Sequence, residues 1–366
     1  MPDGGLAVRR RAADLRTLAV LVAAAVGLPS IASAYRYNAC NGTAYAWSGD
    51  DLRFEIMSCS APVGSQKADD LIYGMREWNA VQSMDDMFDQ RWSNNACVVR
   101  TGNGRNEVGF VDGEAIDGAL GLTLRRYSGV CWSWSRNISI VEADVFINGD
   151  APLEEGNPAE CNRKRTGQRT TVIHELGHAL GLNHEPDQMS LMMPTDGEGK
   201  YCGQYTVSPH PDDATGGRVL YGDGQRSRDL AASEFRHAGA DRVTTNSDGA
   251  IRSLCPGGRH LVHWSVANLG TVHETYNVRW YLSSNRNIST ADRVIATNIG
   301  AVQNAGFFST WQRLITIPRT IPPGLYYLGH LVDYDQRIWE RRGGNNSTYM
   351  ASRVRILAAN DERCSR

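Results

Sequence analysis

The chain has 366 residues, and its content of 21% charged and 41% hydrophobic residues is that of an ordinary globular protein. At roughly 100–200 residues per domain, this length predicts two folded domains with additional segments. The formal net charge is −2, without the clustered Lys and Arg of nucleic-acid-binding proteins, so we do not expect nucleic acid as a partner.

Residues 1–34 have the composition of a signal peptide. Four arginines lie between Arg9 and Arg16, and residues 18–28 form an uninterrupted apolar run. The small residues at 32–34 then match the pattern of a signal-peptide cleavage site. The run is shorter than the about 20 residues that a helix needs to cross a bilayer, so a retained anchor is the less favoured alternative. We therefore expect an exported, extracellular protein with no stable membrane span.

The cysteines support this expectation, because an even number of cysteines in an exported chain favours disulfides. No C-x-x-C pair occurs, so a cysteine zinc site is not expected. The pattern does not choose among the 105 pairings that eight cysteines allow. We expect near neighbours to pair, and Cys255 to pair with Cys364 and close the last domain. All eight cysteines follow residue 34: Cys40, Cys59, Cys97, Cys131, Cys161, Cys202, Cys255 and Cys364.

The first domain is predicted over residues 35–222 and mixes strands with helices. Short β-rich runs between glycine turns predict strands. These runs lie at 43–57, 108–111, 120–124 and 138–147.

Helical periodicity marks three segments of this domain. Apolar residues at helical spacing predict a helix over 69–87. A second helix is predicted over 170–180, with Gly181 ending it. Ser208 is predicted as the N-cap of a third helix, with Asp212 and Asp213 in its first turn.

Residues 223–249 are polar, without a sustained apolar pattern, and we predict a linker or a partly ordered connection. From residue 250 onward the chain has regularly spaced short strands with turns between them, which indicates an all-β sandwich over 250–366. The predicted strands are 261–268, 276–282, 294–299, 311–317, 324–332 and 353–357.

One run in the first domain has the spacing of a metal site. His174 and His178 are four residues apart, so both imidazoles lie on one helix face. Gly181 lets the chain turn back, and His184 then approaches from another direction. Three imidazoles leave the fourth position of a tetrahedral zinc open, which is the arrangement of a catalytic site. We therefore predict one catalytic Zn²⁺.

Glu175 directly follows a predicted ligand and can reach a water on that ion without ligating the ion itself. Zinc polarises a carbonyl and lowers the pKa of its water toward 7. Glu175 is predicted to take the water proton as a general base and to deliver it to a leaving amine as a general acid. The alternative is a zinc site in a protein without peptidase activity.

The run 174–184 resembles the metzincin signature H-E-x-x-H-x-x-G-x-x-H. Residues 190–194 are similar to the methionine turn of metzincins, with Met192 in the methionine position as a packing floor. The short gap to Met192, the segment 208–222 and the segment 142–148 are similar to matrixins in particular. The resemblance covers residues 35–222 and implies an α+β fold, a mixed twisted sheet with an active-site helix, and a zinc endopeptidase that hydrolyses peptide bonds.

Several matrixin features are missing. No histidine precedes His174, so a second, structural zinc site is not expected. We do not expect a cysteine-switch propeptide, and since Pro194 stands where astacins have a tyrosine, no tyrosine ligand is expected. The run 118–123 resembles the metzincin edge strand that binds substrate, although an ordinary sheet strand fits it as well. We expect the specificity pocket between residues 193 and 207.

Two further features have competing interpretations. The oxygen-rich turns at 112–114 and 117–118 could bind Ca²⁺, although neither fits a complete calcium loop. The tryptophans of the segment 131–134 could form a binding platform, but packing in the core beside a disulfide is favoured.

The last domain resembles the CARDB family of adhesion-related immunoglobulin-like modules. The resemblance lies in residues 266–270, 281–284, 288–292 and 321–327 and covers about 251–357. A fold does not by itself define a function, and we expect this domain to bind a surface or another protein. The alternative for the whole chain is a surface adhesion protein whose metallopeptidase domain is inactive or accessory.

Overall fold

The computed structural model describes ten segments of the chain. The predicted signal peptide, Cys161 and Cys202 lie outside them, as does the predicted specificity pocket beyond Met193. The described residues are 35–49, 52–93, 96–132, 138–151, 167–185, 190–193, 208–233, 252–340, 343–350 and 353–364.

The first domain is built on a six-stranded mixed sheet in the order β4-β9-β7-β5-β6, with β8 paired to the other side of β9. The strand β8 runs antiparallel to β9, and the remaining pairs are parallel. In the described part of the chain, β8 pairs with β9 alone, so it forms an edge. The strands are β4 Ala46–Trp47, β5 Leu52–Ile56, β6 Phe88–Trp92, β7 Asn106–Val111, β8 Gly121–Gly129 and β9 Ile138–Asn148.

Two short antiparallel pairs complete the strands of this domain. One of them, β1 with β10, joins the start of the described chain to the residues just after the second helix. The strands are β1 Arg36–Tyr37, β2 Ala39–Cys40, β3 Thr43–Ala44 and β10 Leu182–Asn183, with β2 paired to β3.

Three α-helices accompany the sheet: α1 Gln66–Asn79, α2 Gln168–Leu180 and α3 Pro211–Tyr221. The helices α1 and α2 pack closely because α1 has Gly74 at the contact, where a Cβ atom would lie 2.6 Å from Val172. The indole of Trp78 on α1 also donates to the Ile173 carbonyl of α2, at 2.9 Å. This packing holds α2 against α1.

The predicted bounds of two helices are wrong. The helix predicted over 69–87 ends at Asn79, because the Asn79 side chain hydrogen-bonds both the backbone N–H and the carbonyl of Phe88 and turns the chain into β6. The third helix has His210 rather than Ser208 as its N-cap. Pro211 provides a φ angle suited to a first helical residue, and the Asp213 carboxylate accepts the His210 N–H at 2.9 Å.

The remaining described strands form two further sheets, which we call the β-domain. Three strands pair in the order β11-β13-β16, and six form the order β12-β19-β17-β14-β15, with β18 on β17. Buried residues of both sheets share one core, in which the rings of Trp264 and Trp280 lie 5.3 Å apart. The strands are β11 Leu230–Ser233, β12 Arg252–Leu254, β13 Arg259–Asn268, β14 Glu274–Ser283, β15 Arg293–Gln303, β16 Phe308–Thr316, β17 Gly324–Val332, β18 Ser347–Tyr349 and β19 Val354–Ile356.

The segment predicted as a linker contains β11, which pairs with β13 from Leu230 to Ser233. Its short apolar sequence buries Leu230 in the β-domain and Ala231 in the core of the first domain. Leu269 of the β-domain is buried in that same core. The two domains therefore share packed surface instead of being joined only by an extended connection.

Three disulfides are described. The pair Cys255–Cys364 confirms the predicted closure of the last domain. Cys40 pairs with Cys131, and Cys59 with Cys97, so pairing of near neighbours is wrong for Cys40. The fold brings the hairpin β2–β3 beside the end of β8, which places two cysteines 91 positions apart within bonding distance. In the described segments, every helix is too short or too polar to cross a bilayer.

Arg218 of α3 joins the two domains. Its guanidinium donates to the Leu269 carbonyl of the β-domain at 2.8 Å and to the Gln82 carbonyl at 3.3 Å. We expect Arg218→Ala to lower the free energy of unfolding by about 2 kcal/mol, because hydrogen bonds from a charged group are lost at a partly buried site. Urea unfolding measures this. Arg293→Ala, at an exposed end of β15, is the control that leaves stability unchanged. Equal stability of both variants would contradict the role of Arg218.

Candidate functional site

The helix α2 presents His174, Glu175 and His178, while its apolar residues face the core of the first domain. It ends at Gly181, whose φ of 114° lies in the left-handed region. A Cβ atom there would also lie 3.0 Å from the Tyr45 carbonyl, so glycine suits both the conformation and the space. The strand β10 then carries the chain to His184.

The three histidines meet at one place. Their ligand atoms all lie within 4.8 Å of one another, and the Nε2 atoms of His174 and His184 are 3.1 Å apart. The Nδ1 atom of His174 is 2.8 Å from the Leu191 carbonyl. The Nδ1 atom of His178 is 2.8 Å from the Leu182 carbonyl. Since a carbonyl only accepts, Nδ1 of both rings carries the proton, and the Nε2 lone pairs remain available to a metal.

These residues fit a zinc ion. Two nitrogens on a tetrahedral zinc are about 3.3 Å apart when each Zn–N distance is near 2.0–2.1 Å, which is close to the observed 3.1 Å. Burial lowers the pKa of His174 to about 4 and that of His178 to about 3, so both rings are neutral at pH 7, as metal ligands must be. Burial also lowers the pKa of His184.

Glu175 lies between α2 and the edge strand β8. Its side chain is buried, and one carboxylate oxygen accepts a hydrogen bond from the Thr123 hydroxyl at 2.7 Å. A Cβ atom at Gly121 would lie 2.6 Å from Glu175 Cγ, so a larger residue would displace the carboxylate. Burial raises the pKa of Glu175 to about 7, opposed by the Thr123 hydrogen bond. Such a group can both take up and release a proton near neutral pH.

Sequence reasoning placed Thr123 on a strand but missed its contact with Glu175. Residues 121 and 123 are two apart on β8, so both face the same side of the sheet. The alternation of side chains along β8 predicts that residues 121 and 123 share one face of the strand. Only the fold shows that this face lies against Glu175.

Met192 packs under the site. It is 2% exposed, and a Cβ atom at Gly177 of α2 would collide with its sulfur. Asp213 holds this turn, because its carboxylate accepts the Ser190 hydroxyl at 2.6 Å and the N–H groups of Leu191 and Met192 at 2.8 and 3.1 Å. The sequence placed Asp213 only in a first helical turn and missed this function.

Two further charged residues support the chain around His184. Arg125 of β8 donates to the Asn183 side chain at 2.8 Å. Glu185 pairs with Arg36 at 3.2 Å, and its backbone N–H donates to the Met192 carbonyl at 2.8 Å. The residues on both sides of His184 are therefore tied to neighbouring elements.

The turns considered for calcium do not form a comparable cluster. Gly113–Ile116 is a short 3₁₀ helix, and Asp117 follows it in the left-handed region. Asp112 interacts with Asp150, which raises the pKa of the Asp112 carboxyl. Within the described segments, the three histidines form the group of side chains that could hold a metal, and calcium stays a prediction.

The core position expected for Trp132 is wrong, because this side chain is 55% exposed. Its neighbour Cys131 is bonded to Cys40 at the end of β8, which holds the segment at the surface. Trp134 lies outside the described residues.

Comparison with known proteins agrees with this geometry. The family model of matrixins, peptidases of family M10, matches residues 46–222. The macrophage metalloelastase of Oryctolagus cuniculus is 38% identical over 76 residues, which are 21% of this chain and 16% of that protein. Metalloendoproteinase 2-MMP of Arabidopsis thaliana is 27% identical over 147 residues, which are 39% of this chain and 36% of that protein. The chain thus spans a minor part of the length of either relative.

Residues 46–222 are therefore a matrixin-type domain, and the similarity supports a metallopeptidase. Among solved structures, the CARDB domain of the PF1109 protein from Pyrococcus furiosus, in complex with di-metal ions, is similar to part of this chain. It is 14% identical, covers 36% of this chain and 96% of that domain, and has a TM-score of 0.25.

The pKa values of the histidines predict how pH affects the metal-free protein. As the pH falls from 7 to 5, the unfolded chain protonates its histidines near their usual pKa of about 6.5. Folded His174 and His178 stay neutral to about pH 4 and 3, so stability is lost over this range. His174→Asn keeps a donor for the Leu191 carbonyl but does not titrate, and we expect it to reduce the loss by roughly 1–2 kcal/mol.

Urea unfolding of the metal-free protein at pH 7 and pH 5 tests this. His273→Asn is the control, because His273 is exposed, and it should behave as the wild type does. An unchanged pH dependence in His174→Asn would show that this ring titrates normally.

Proposed function

We propose that the protein is an exported, zinc-dependent endopeptidase. The observation that carries this proposal is the convergence of His174, His178 and His184 beside a buried Glu175. Similarity of residues 46–222 to matrixins points to the same chemistry. The predicted signal peptide and the disulfides support export, since disulfides form in oxidising compartments.

His174, His178 and His184 would hold the ion through their Nε2 atoms. Bound zinc would polarise the scissile carbonyl and lower the pKa of the attacking water. Glu175 removes a proton from that water as its oxygen bonds to the carbonyl carbon, and returns the proton to the amine as the C–N bond breaks. Thr123 would hold the Glu175 carboxylate in place during both transfers through its 2.7 Å hydrogen bond.

The edge strand β8 is the proposed binding strand for substrate. Its outer backbone groups pair with no other described strand, so an extended peptide can add to the sheet there through main-chain hydrogen bonds. Leu122 and Leu124 alternate with Thr123 and are exposed on the opposite face of the strand. A bound peptide would therefore lie along β8, the strand that also contacts Glu175.

For the β-domain we propose an immunoglobulin-like, CARDB-like module that binds a surface or another protein. Its packing against the first domain, through Leu269 and Arg218, makes it a fixed part of the enzyme. The alternative, an adhesion protein with an inactive peptidase domain, is less favoured because the proposed base Glu175 is present beside the three histidines.

Removal of the proposed base should separate catalysis from metal binding. We expect Glu175→Gln to bind zinc as tightly as the wild type but to lose at least about 10³-fold in the rate of casein digestion, since the amide cannot accept the water proton. Zinc content by atomic absorption and release of casein fragments are the two measurements. Glu362→Gln, at an exposed position, is the matched control and should retain full activity.

Addition of a chelator should stop digestion by the wild type. Equal digestion by the wild type, the chelated protein and Glu175→Gln would defeat the proposal. If casein itself resists cleavage, a library of mixed peptides replaces it.

Thr123 is predicted to position the base. Thr123→Val keeps the shape of the side chain but removes the donor to Glu175, and we expect kcat to fall by about tenfold with little change in KM. Thr123→Ser restores the hydroxyl and should recover most of kcat. Steady-state kinetics on one peptide measure both constants. A Val variant with wild-type kcat, or a Ser variant as slow as Val, would contradict this role.

A further inference from the structure

Away from the histidines, a cavity of about 380 Å³ opens where the two domains meet. Its walls come from the turn after α1, from the segment that follows α3 and from two loops of the β-domain. Its volume lies within the range of sites that bind small ligands, roughly 300–1,000 Å³. The lining residues that matter here are Gln82, Ser83, Gln225, Arg226, Ser227 and Trp339.

Trp339 provides a flat apolar face at this cavity. The side chain is 82% exposed, more than any other large hydrophobic residue of the described segments. An indole in water loses the stabilisation that burial gives an aromatic side chain. Because Trp339 lies on the wall of the cavity, a bound ligand can pack on the indole and bury it.

Two buried hydroxyls in the wall have no partner. Ser227 is 8% exposed, and its backbone is fixed by hydrogen bonds in both directions with Thr271, yet its hydroxyl bonds to none of the described residues. The hydroxyl of Ser83 is also buried without a described partner, and Ser83 has a φ of 59°, in the left-handed region. Unsatisfied buried groups and strained backbone concentrate at functional sites.

The charges around the cavity nearly balance. Arg228 is paired with Glu274 at 3.2 Å, and Asp223 accepts the N–H of Gln225 at 2.7 Å. Arg226 is an exposed cation, and Asp223 is the one carboxylate among the lining residues. A strongly anionic ligand would need more unpaired cations than this cavity has.

We propose that the cavity binds a saccharide. A sugar ring has one apolar face of C–H groups, which can stack on Trp339, and a rim of hydroxyls that both donate and accept hydrogen bonds. Ser83 and Ser227 also donate and accept, as does the exposed amide of Gln225. The site needs residues from both domains, so it depends on the packed junction between them. It would place the enzyme on glycan-bearing material without using the zinc site.

The test is isothermal titration calorimetry of the full chain with chitohexaose, cellohexaose, maltohexaose and mannohexaose. We expect at least one of them to bind with a Kd below about 1 mM. Trp339→Ala should weaken that binding at least about tenfold, and Ser227→Ala by a smaller factor. Trp132→Ala is the matched control, because Trp132 is a highly exposed tryptophan of the first domain and lies outside this cavity.

Thermal melting of each variant confirms that it is folded before it is titrated. The proposal is overturned if none of the four oligosaccharides binds at about 5 mM, or if binding survives both Trp339→Ala and Ser227→Ala. Inorganic phosphate is titrated in parallel. Binding of phosphate without any saccharide would define an anion site and overturn the proposal as well. Peptidase activity is not used, so this result is independent of the proposed function.

Discussion

The site depends on two hydrogen bonds from imidazole to backbone. His174 donates to the Leu191 carbonyl and His178 to the Leu182 carbonyl, each at 2.8 Å. These bonds set the orientation of the rings and direct their Nε2 atoms to a common point. Both acceptors lie beyond Gly181, so the left-handed turn at that glycine orients the ligands as well as delivering His184. The backbone thus orients both imidazoles in the metal-free protein.

The third helix connects this arrangement to the rest of the molecule. At its start, Asp213 holds the turn that contains Leu191 and Met192. At its end, Arg218 holds the β-domain through the Leu269 carbonyl. The same helix therefore supports the floor of the site and the junction between the domains. A change in structure at the domain junction can therefore reach Leu191 through α3, and Leu191 is the residue that orients His174.

Local patterns in the sequence predicted the features that depend on a few neighbouring residues. The spacing of His174 and His178 and the glycine at 181 predicted a helix and a turn, and α2 and Gly181 have that conformation. Alternating runs predicted most strands of the β-domain. The sequence did not predict the functions of three residues, because each function depends on a partner far away in the chain. These residues are Thr123, Asp213 and Arg218, whose partners lie 52, 21 and 51 positions away. The strand β11 was not predicted, because its four residues are too few to show an alternating apolar pattern within a polar segment.

Zinc K-edge X-ray absorption on the full chain, after dialysis against limiting zinc, measures most directly whether the three histidines bind one metal ion. We expect one zinc per chain with three imidazole nitrogens at about 2.0–2.1 Å and one further oxygen ligand. Zinc bound by fewer than three imidazoles, zinc bound through sulfur, or a chain that retains no zinc would contradict it.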